Sequence, residues 1–269
     1  MPAGVSARSV SAGGAFSLAV GSDGMLYAWG NNYYGQLGIG RSGGYSTTPT
    51  PVVGLSESVR ARAVFAGGRH GLALGANGHV YAWGDNGHGQ LGDGTTAERT
   101  RPVTVTLPGG VRAAAVFAGD RFSLALGADG RLYAWGANAD GELGDGAATD
   151  RATPGAVRLP RGVRVVVAAA GDYYGLAVGS RGALYAWGLN RFGQLGDGTR
   201  TTRRTPVAVA LPEGVPAVAV AAWGDFSVAL GTGGEMYAWG ANGHGEVGDG
   251  TRAEQDSPVC VTLPLRGGT

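Results

Sequence analysis

The chain has 269 residues with a formal net charge of +1, and 53 of the residues are Gly. The glycines follow no G-X-Y period and 43% of the residues are hydrophobic, which excludes both a collagen and a disordered chain. The near-neutral charge predicts no nucleic-acid partner and no membrane-surface partner. No apolar run is long enough to span a bilayer and no secretion signal is visible, so we expect a cytoplasmic protein.

Two features of the composition bear on origin and redox chemistry. All 21 basic residues are Arg, which is typical of coding bias in a GC-rich bacterial genome. The single cysteine, Cys260, excludes an internal disulfide and a cysteine-rich zinc site. We expect Cys260 to be a small buried residue.

One unit occurs five times along the chain. The tetrapeptide Tyr-Ala-Trp-Gly begins at Tyr27, Tyr81, Tyr133, Tyr185 and Tyr237, with spacings of 54, 52, 52 and 52. A glycine series keeps the same register in four units, and Trp223 replaces it in the fifth; the glycines are Gly13, Gly67, Gly119 and Gly171. The repeats predict a single domain, 1–269, divided at approximately 5–58, 59–110, 111–162, 163–214 and 215–266.

Each unit predicts four short strands. In the third unit the first strand covers 111–118 and the second covers 123–126. The pair Asp129-Gly130 then predicts a tight hairpin to a third strand, 131–136. The fourth strand, 102–107 in the second unit and 258–263 in the fifth, starts with Pro and suits an outer edge. In the first unit 41–50 reads as a loop.

No segment has the period of a helix, so the fold class is all-β. Four antiparallel strands repeated five times predict a β-propeller of five four-stranded blades. The repeated Tyr and Trp and the Leu-Ala-Leu segments are expected to pack between the blades.

Residues 66–74 (AGGRHGLAL) and 81–94 (YAWGDNGHGQLGDG) resemble the regulator of chromosome condensation (RCC1-like) repeat. The resemblance covers essentially the whole chain. It implies a propeller fold whose members serve as nucleotide exchange factors, chromatin binders, light sensors or protein inhibitors. Propellers of that family usually have seven blades, whereas this chain supplies five and has no basic tail. We therefore do not transfer the exchange activity to it.

Five blades can complete the fold in two ways. Either blade five packs on blade one and closes the ring, or another chain completes an open arc. An open arc leaves two apolar blade faces, which a soluble monomer rarely tolerates, so we favour the closed ring. The corresponding states are a monomer or a ring-completing homo-oligomer.

The loops after the first and third strands emerge on one face of each blade, and the units differ most there. Aromatic and Arg side chains on rigidly held loops are typical of binding hot spots, although surface loops also vary without any function. In the third-strand loop an Asn and a final Gly never change, which suits a turn. The candidate binding residues are Tyr33, Tyr34, Arg69, His88, Arg121, Asp140, Tyr173, Arg191, Phe192, Trp223, Asp225 and His244.

The histidines do not form a metal-binding pattern. His79 follows a hairpin turn on the opposite face, and His88 and His244 lie in blades that are not neighbours. His70 stands where the other units have Phe or Tyr, which indicates packing. We predict no metal.

The acidic residues favour structural interpretations as well. Asp93, in a repeated Gly-Asp-Gly, suits an ordinary turn better than a calcium site. Glu142 and Glu246 replace Gln in two units, but blades three and five hold them apart, so an acid–base pair is not expected. No phosphate-binding loop is present, and we predict no cofactor.

Two main hypotheses for function follow. The first is a non-enzymatic scaffold that presents one propeller face to a protein partner, for regulatory or inhibitory binding. The second is an enzyme of cyclase, transferase or hydrolase type, with a small-molecule pocket at the channel mouth lined by Arg69, Arg121, Tyr173, Trp223 and Asp225. Convergence of His88, Asp140 or His244 on one point would favour catalysis. A structural part of a larger assembly and an engineered repeat protein are further alternatives.

Overall fold

The computed structural model describes residues 1–55 and 59–261. Two single 3-10 turns, Pro108–Gly110 and Pro212–Gly214, are the only helical elements of this part of the chain. No helix within it is long and apolar enough to cross a membrane. Its strands are β1 (Ala7–Ala12), β2 (Phe16–Gly21), β3 (Leu26–Asn31), β4 (Tyr45–Pro51), β5 (Ala61–Ala66), β6 (His70–Gly75), β7 (Val80–Gly84), β8 (Arg99–Val105), β9 (Ala113–Ala118), β10 (Phe122–Gly127), β11 (Leu132–Gly136), β12 (Arg151–Ala156), β13 (Val165–Ala170), β14 (Tyr174–Gly179), β15 (Leu184–Gly188), β16 (Arg203–Val209), β17 (Ala217–Trp223), β18 (Phe226–Gly231), β19 (Met236–Gly240) and β20 (Gln255–Cys260).

The strands form five four-stranded antiparallel sheets, each built from consecutive strands. Blade one is β1–β4, and blades two to five follow in the same way. Because successive strands run in opposite directions, the loops after the first and third strands of a blade leave at the same end. The predicted all-β fold of five four-stranded blades is confirmed.

The fourth strands differ from the prediction. Pro102 does not begin its strand but lies inside β8, and the pairing of β8 with β7 changes register between Ala82 and Gly84. A missing N–H at such an irregularity on an outer strand breaks no regular ladder, so Pro is tolerated there. The assignment of Pro to the strand start was therefore wrong.

Three other predicted boundaries change. The predicted loop 41–50 contains the start of β4, which pairs with β3 from Asn31↔Tyr45 to Tyr27↔Pro51. The first strand of blade three begins at Ala113, after the 3-10 turn Pro108–Gly110, and its register shifts beside Gly127. The predicted strand 258–263 is observed as β20, and residues 262 and 263 lie outside the described residues. Cys260 is exposed and not buried, because it ends an outermost strand.

Four hydrophobic clusters join neighbouring blades, one at each junction from blades one–two to blades four–five. At each junction a Trp from the later blade is fully buried, and its indole N–H donates to a backbone carbonyl of the earlier blade. The donors and acceptors are Trp83 and Gln36, Trp135 and Gln90, Trp187 and Glu142, and Trp239 and Gln194. The predicted packing of the repeated Tyr, Trp and Leu-Ala-Leu residues between blades is confirmed.

The junction of blades five and one differs from these four. In residues 1–55 and 59–261, no fifth hydrophobic cluster joins the two blades. Val10 on blade one is 69% exposed, while Val64 at the same repeat position is 2% exposed. Leu230 on blade five is 36% exposed, against 7% for its counterpart Leu126. The closed ring therefore stays a prediction.

Candidate functional site: the loop face and the channel mouth

The end of the propeller that carries the loops after the first and third strands is here called the loop face. Its third-strand loops share one backbone frame. In blade three the buried Asn138 side chain accepts a hydrogen bond from the Leu143 N–H at 3.0 Å and donates to the Thr149 carbonyl at 3.1 Å. The loop then turns at Gly141, whose φ of +85° favours glycine. Corresponding Asn bonds occur in all five blades.

A Gln or Glu completes this frame. In each loop its side-chain oxygen accepts the N–H of the residue two positions earlier, for example His88 N–H to Gln90 at 2.9 Å. The same bond joins Asp140 to Glu142 and His244 to Glu246. These contacts give the two glutamates separate structural roles within their own loops.

The twelve predicted binding residues all lie on the loop face. Exposure differs widely among them: Tyr33 is 65% exposed, Trp223 is 59% exposed and Tyr34 is 36% exposed. The His244 side chain is 94% exposed and lies 3.2 Å from Glu246 of its own loop. A constant backbone frame thus displays side chains that differ from blade to blade.

Contacts between blades bring some of these residues together. The Arg69 guanidinium lies 4.7 Å from the centre of the Tyr34 ring and donates to its hydroxyl at 3.0 Å. His88 Nδ1 lies 2.7 Å from an Asp150 oxygen, and Arg121 donates to His88 Nε2 at 3.5 Å. This places the His88 proton on Nδ1 and directs its other nitrogen at an arginine, where no nucleophile is available.

The channel mouth opens in the middle of the loop face, at the ends of the first strands. A cavity of about 140 Å³ lies there, walled mainly by Gly and Ala, with Asp120, Asp172 and Trp223 as its larger side chains. Of the five residues predicted to line an enzyme pocket, only Trp223 does so. Small-molecule pockets usually enclose about 300–1,000 Å³, so the mouth suits one side chain better than a whole substrate.

Carboxylates dominate the electrostatics of the mouth. Burial raises the pKa of Asp172, and repulsion from Asp120 and Asp225 raises it further. Arg121 lies 3.3 Å from Asp120 and offsets part of this charge. Burial likewise raises the pKa of Asp225, although Arg191 opposes the shift. The mouth region therefore holds three carboxylates, of which Asp120 and Asp225 each have an Arg nearby.

Asp120 and Asp172 were missed by the sequence analysis. They stand in the first-strand loop where the other blades have Gly14, Gly68 and Gly224, so comparison of the repeats could have found them. Tyr173, which was predicted, donates to Asp120 at 3.3 Å. Asp120 thus links two predicted residues, Tyr173 and Arg121, to the mouth.

The remaining polar groups named from the sequence are bound within the fold. His70 is fully buried, its Nε2 lies 2.9 Å from the Ser123 hydroxyl, and burial lowers its pKa to about 4, which confirms the packing role. The Asp93 carboxylate accepts from Thr95 at 2.9 Å and from Arg99 at 2.8 Å. The described part of the chain holds no group of three or more His, Cys, Asp or Glu residues arranged for a metal ion.

Comparison with known proteins agrees with the repeats and the blades. A family model described as the RCC1-like domain matches residues 2–268. The chain belongs to the RCC1-like family. The ultraviolet-B receptor UVR8 of Arabidopsis thaliana is 35% identical to this RCC1-like chain over 258 residues, which are 95% of the chain and 58% of UVR8. The human E3 ubiquitin-protein ligase HERC2 is 35% identical over 87% of the chain and 5% of HERC2.

Among solved structures, Prp20p from Saccharomyces cerevisiae superposes on the RCC1-like chain with a TM-score of 0.79. The match covers 97% of the chain and 64% of Prp20p at 24% identity, and it shows the fold alone. The chain thus spans less than two thirds of these relatives. What each whole relative does is not transferred by the match.

Proposed function

We propose that this RCC1-like chain is a non-enzymatic protein-interaction module that binds a protein partner on its loop face. The observation that carries the proposal is Trp223, which stays 59% exposed on a rigid strand end at the channel mouth. An exposed Trp held by the backbone costs little conformational entropy on binding and is a typical hot-spot residue. The surrounding Tyr and Arg side chains extend the same surface.

Two solved structures of similar fold agree with this role. The Prp20p structure is described together with its binding to Gsp1p and histones, and another structure holds Kap60 bound to yeast RCC1. Protein partners are therefore known for chains of this fold. Regulation or inhibition of an enzyme by this chain is the finer form of the proposal.

The mouth also suggests the chemistry of the partner. Asp172 and Asp120 place negative charge in the cavity that Trp223 also lines, and Arg121 offsets part of the charge of Asp120. A partner Arg or Lys inserted here would relieve that repulsion and stack on the indole. We expect Asp172→Asn to weaken binding and added salt to weaken it further.

The test is a pull-down from the source lysate, followed by calorimetry with the identified partner. Trp223→Ala should weaken the affinity about 30-fold, because a hot-spot truncation costs about 2 kcal/mol. The matched control is Arg131→Ala, which removes a side chain 74% exposed beside a hairpin on the opposite face. Equal affinity of wild type and Trp223→Ala, or a loss with Arg131→Ala, would contradict the proposed surface.

A further inference from the structure

The end of the propeller opposite the loop face carries the hairpin turns between the second and third strands, and it is here called the hairpin face. One turn residue makes the same two bonds in three blades. In blade three the Asp129 carboxylate accepts the Arg131 N–H at 3.0 Å and the Tyr133 hydroxyl at 2.8 Å. The corresponding bonds join Asp23 to Met25 and Tyr27 in blade one, and Asn77 to His79 and Tyr81 in blade two.

Blade five places an oxygen in the same space by another route. It has Gly233 at the turn position, and the Glu235 carboxylate accepts the Gly233 N–H at 3.1 Å. A Cβ atom built on Gly231, which ends the second strand, would lie 2.9 Å from a Glu235 oxygen. In blades one to three the Asp or Asn oxygen covers the matching glycine. Four blades therefore fill this space with a side-chain oxygen of their own.

Blade four lacks this oxygen. Arg181 stands at the turn position, and Ala183 stands where blade five has its glutamate. The nearest atoms to a Cβ built on Gly179 are a Val163 methyl carbon at 3.2 Å and two backbone carbonyl oxygens at 3.7 Å. The position that holds a carboxylate or amide oxygen in the other blades is thus left open.

The two donors that this oxygen would serve are still in place. The Gly179 N–H donates to the Ala183 carbonyl at 2.9 Å, and the matching bond in blade three is 2.8 Å, so the hairpin backbone is the same. In the part of the chain that the structure describes, no side chain accepts the Ala183 N–H or the Tyr185 hydroxyl. Tyr185 is also half-buried, whereas the repeated Tyr is buried in the other four blades.

Three arginines surround the open position. It belongs to a cavity of about 310 Å³ that is lined by Arg161, Arg164 and Arg181, together with Ser180 and Tyr185. Within residues 1–55 and 59–261, no ion pair joins any of these three arginines to an acidic residue. Guanidinium groups bind carboxylates through paired, charge-assisted hydrogen bonds. Positive charge therefore surrounds a position where the repeat normally holds an acid.

We propose that this cavity binds a carboxylate from outside the chain, in place of the acid that blade four lacks. One oxygen of the ligand accepts the Ala183 N–H and the other accepts the Tyr185 hydroxyl, as the two oxygens of Asp129 do in blade three. The volume leaves room for a second carboxylate among the arginines, so a dicarboxylate fits better than a single acid. Its source is a free dicarboxylic acid or two adjacent acidic side chains of a peptide.

Calorimetry at low ionic strength tests the site with two probes, succinate and the blocked peptide Gly-Asp-Asp-Gly. Wild type should bind at least one of them with one molecule per chain, and the tighter probe identifies the source. Succinamide, which has the same shape without the charge, should not bind. Absence of binding by both probes, or equal binding of succinamide, would overturn the proposal.

A restored acid gives the sharpest variant. Arg181→Asp returns the residue of blades one and three, so its carboxylate should fill the cavity and bond to Tyr185. This variant should have a higher thermal midpoint than wild type and should bind neither probe. Undiminished binding by Arg181→Asp would contradict the site.

Matched substitutions locate the ligand. Arg164→Ala should weaken binding about tenfold and Tyr185→Phe about fivefold, because each removes a donor to the ligand. The control is Arg112→Ala, at the same repeat position as Arg164 in blade three, where the blade has its own acid; its affinity should equal that of wild type. An equal loss in both Arg variants would place the ligand elsewhere. Near-ultraviolet circular dichroism checks that each variant is folded.

This inference is independent of the proposed protein partner, since the cavity lies on the hairpin face. Trp223→Ala should therefore bind succinate and the peptide as wild type does. Loss of probe binding in Trp223→Ala would contradict the carboxylate site, whereas loss of the protein partner alone would leave it intact.

Discussion

Blades three and five share one repeat and one sheet topology, yet the same positions have opposite environments. Glu142 in blade three is 2% exposed, and burial raises its pKa to about 7. Glu246 at the same position in blade five is partly exposed, and backbone N–H donors of its loop lower its pKa. Leu126 and Leu230 differ in the same direction, at 7% and 36% exposure.

This difference in burial comes from the neighbouring blade and not from the repeat unit itself. Blade four packs against blade three, and its Trp187 covers the Glu142 loop by donating to the Glu142 carbonyl at 2.7 Å. In the described residues no such indole covers the Glu246 carbonyl. A repeat position is therefore core or surface according to whether another blade follows it.

The largest expected difference in stability is between variants of Leu126 and Leu230. Leu126→Ala removes a buried side chain between blades three and four and should lower the free energy of unfolding by about 2–4 kcal/mol. Leu230→Ala removes an exposed counterpart and should cost less than about 1 kcal/mol. Urea denaturation of both variants measures this. Equal losses would show that blade five is covered in solution.

The variant Glu142→Gln tests how the buried carboxyl affects stability. Blades one, two and four already have Gln at this position. Because the folded pKa of about 7 lies above the ordinary 4.5, protonated Glu142 stabilises the fold near pH 4.5, and that stabilisation is lost as the pH rises through 7. Well above pH 7, Glu142→Gln should therefore be more stable than wild type by about 2–3 kcal/mol. Near pH 4.5 the two should be equal.

The control is Glu246→Gln, whose carboxyl has no raised pKa. It should show no gain in stability at alkaline pH. Thermal midpoints of the three proteins across this pH range measure the effect. A gain for Glu246→Gln as large as that for Glu142→Gln would contradict the role assigned to burial.

A smaller effect on stability is expected when the repeated Trp is replaced. Trp187→Phe loses the N–H donor to Glu142 and should destabilise by about 1–2 kcal/mol. Trp29, the half-buried counterpart of Trp187 in blade one, has no corresponding bond among the described residues, so Trp29→Phe should cost under about 0.5 kcal/mol. Urea midpoints compare the pair. A similar cost at both positions would place a covering blade over Trp29.

Much of the site could be predicted because the repeats supply their own alignment. Constant Asn and Gly marked the loop frame, and variation marked Trp223 and Arg121 on the loop face. Asp120 and Asp172 were missed although they replace Gly in the same alignment, because they lie between the two positions that were compared. The Arg121–His88 contact joins different blades, and no spacing along the chain indicates it.

The sequence by itself determined the unit, the number of blades and the face on which they differ, since strand alternation and turn residues act over a few neighbours. The tertiary structure decided which copies of the unit are enclosed. It covered Glu142 and left Glu246 partly exposed, buried Val64 and exposed Val10, and left Trp223 59% exposed. Burial depends on what lies against a residue in space, and the same residue at equivalent repeat positions does not encode that difference.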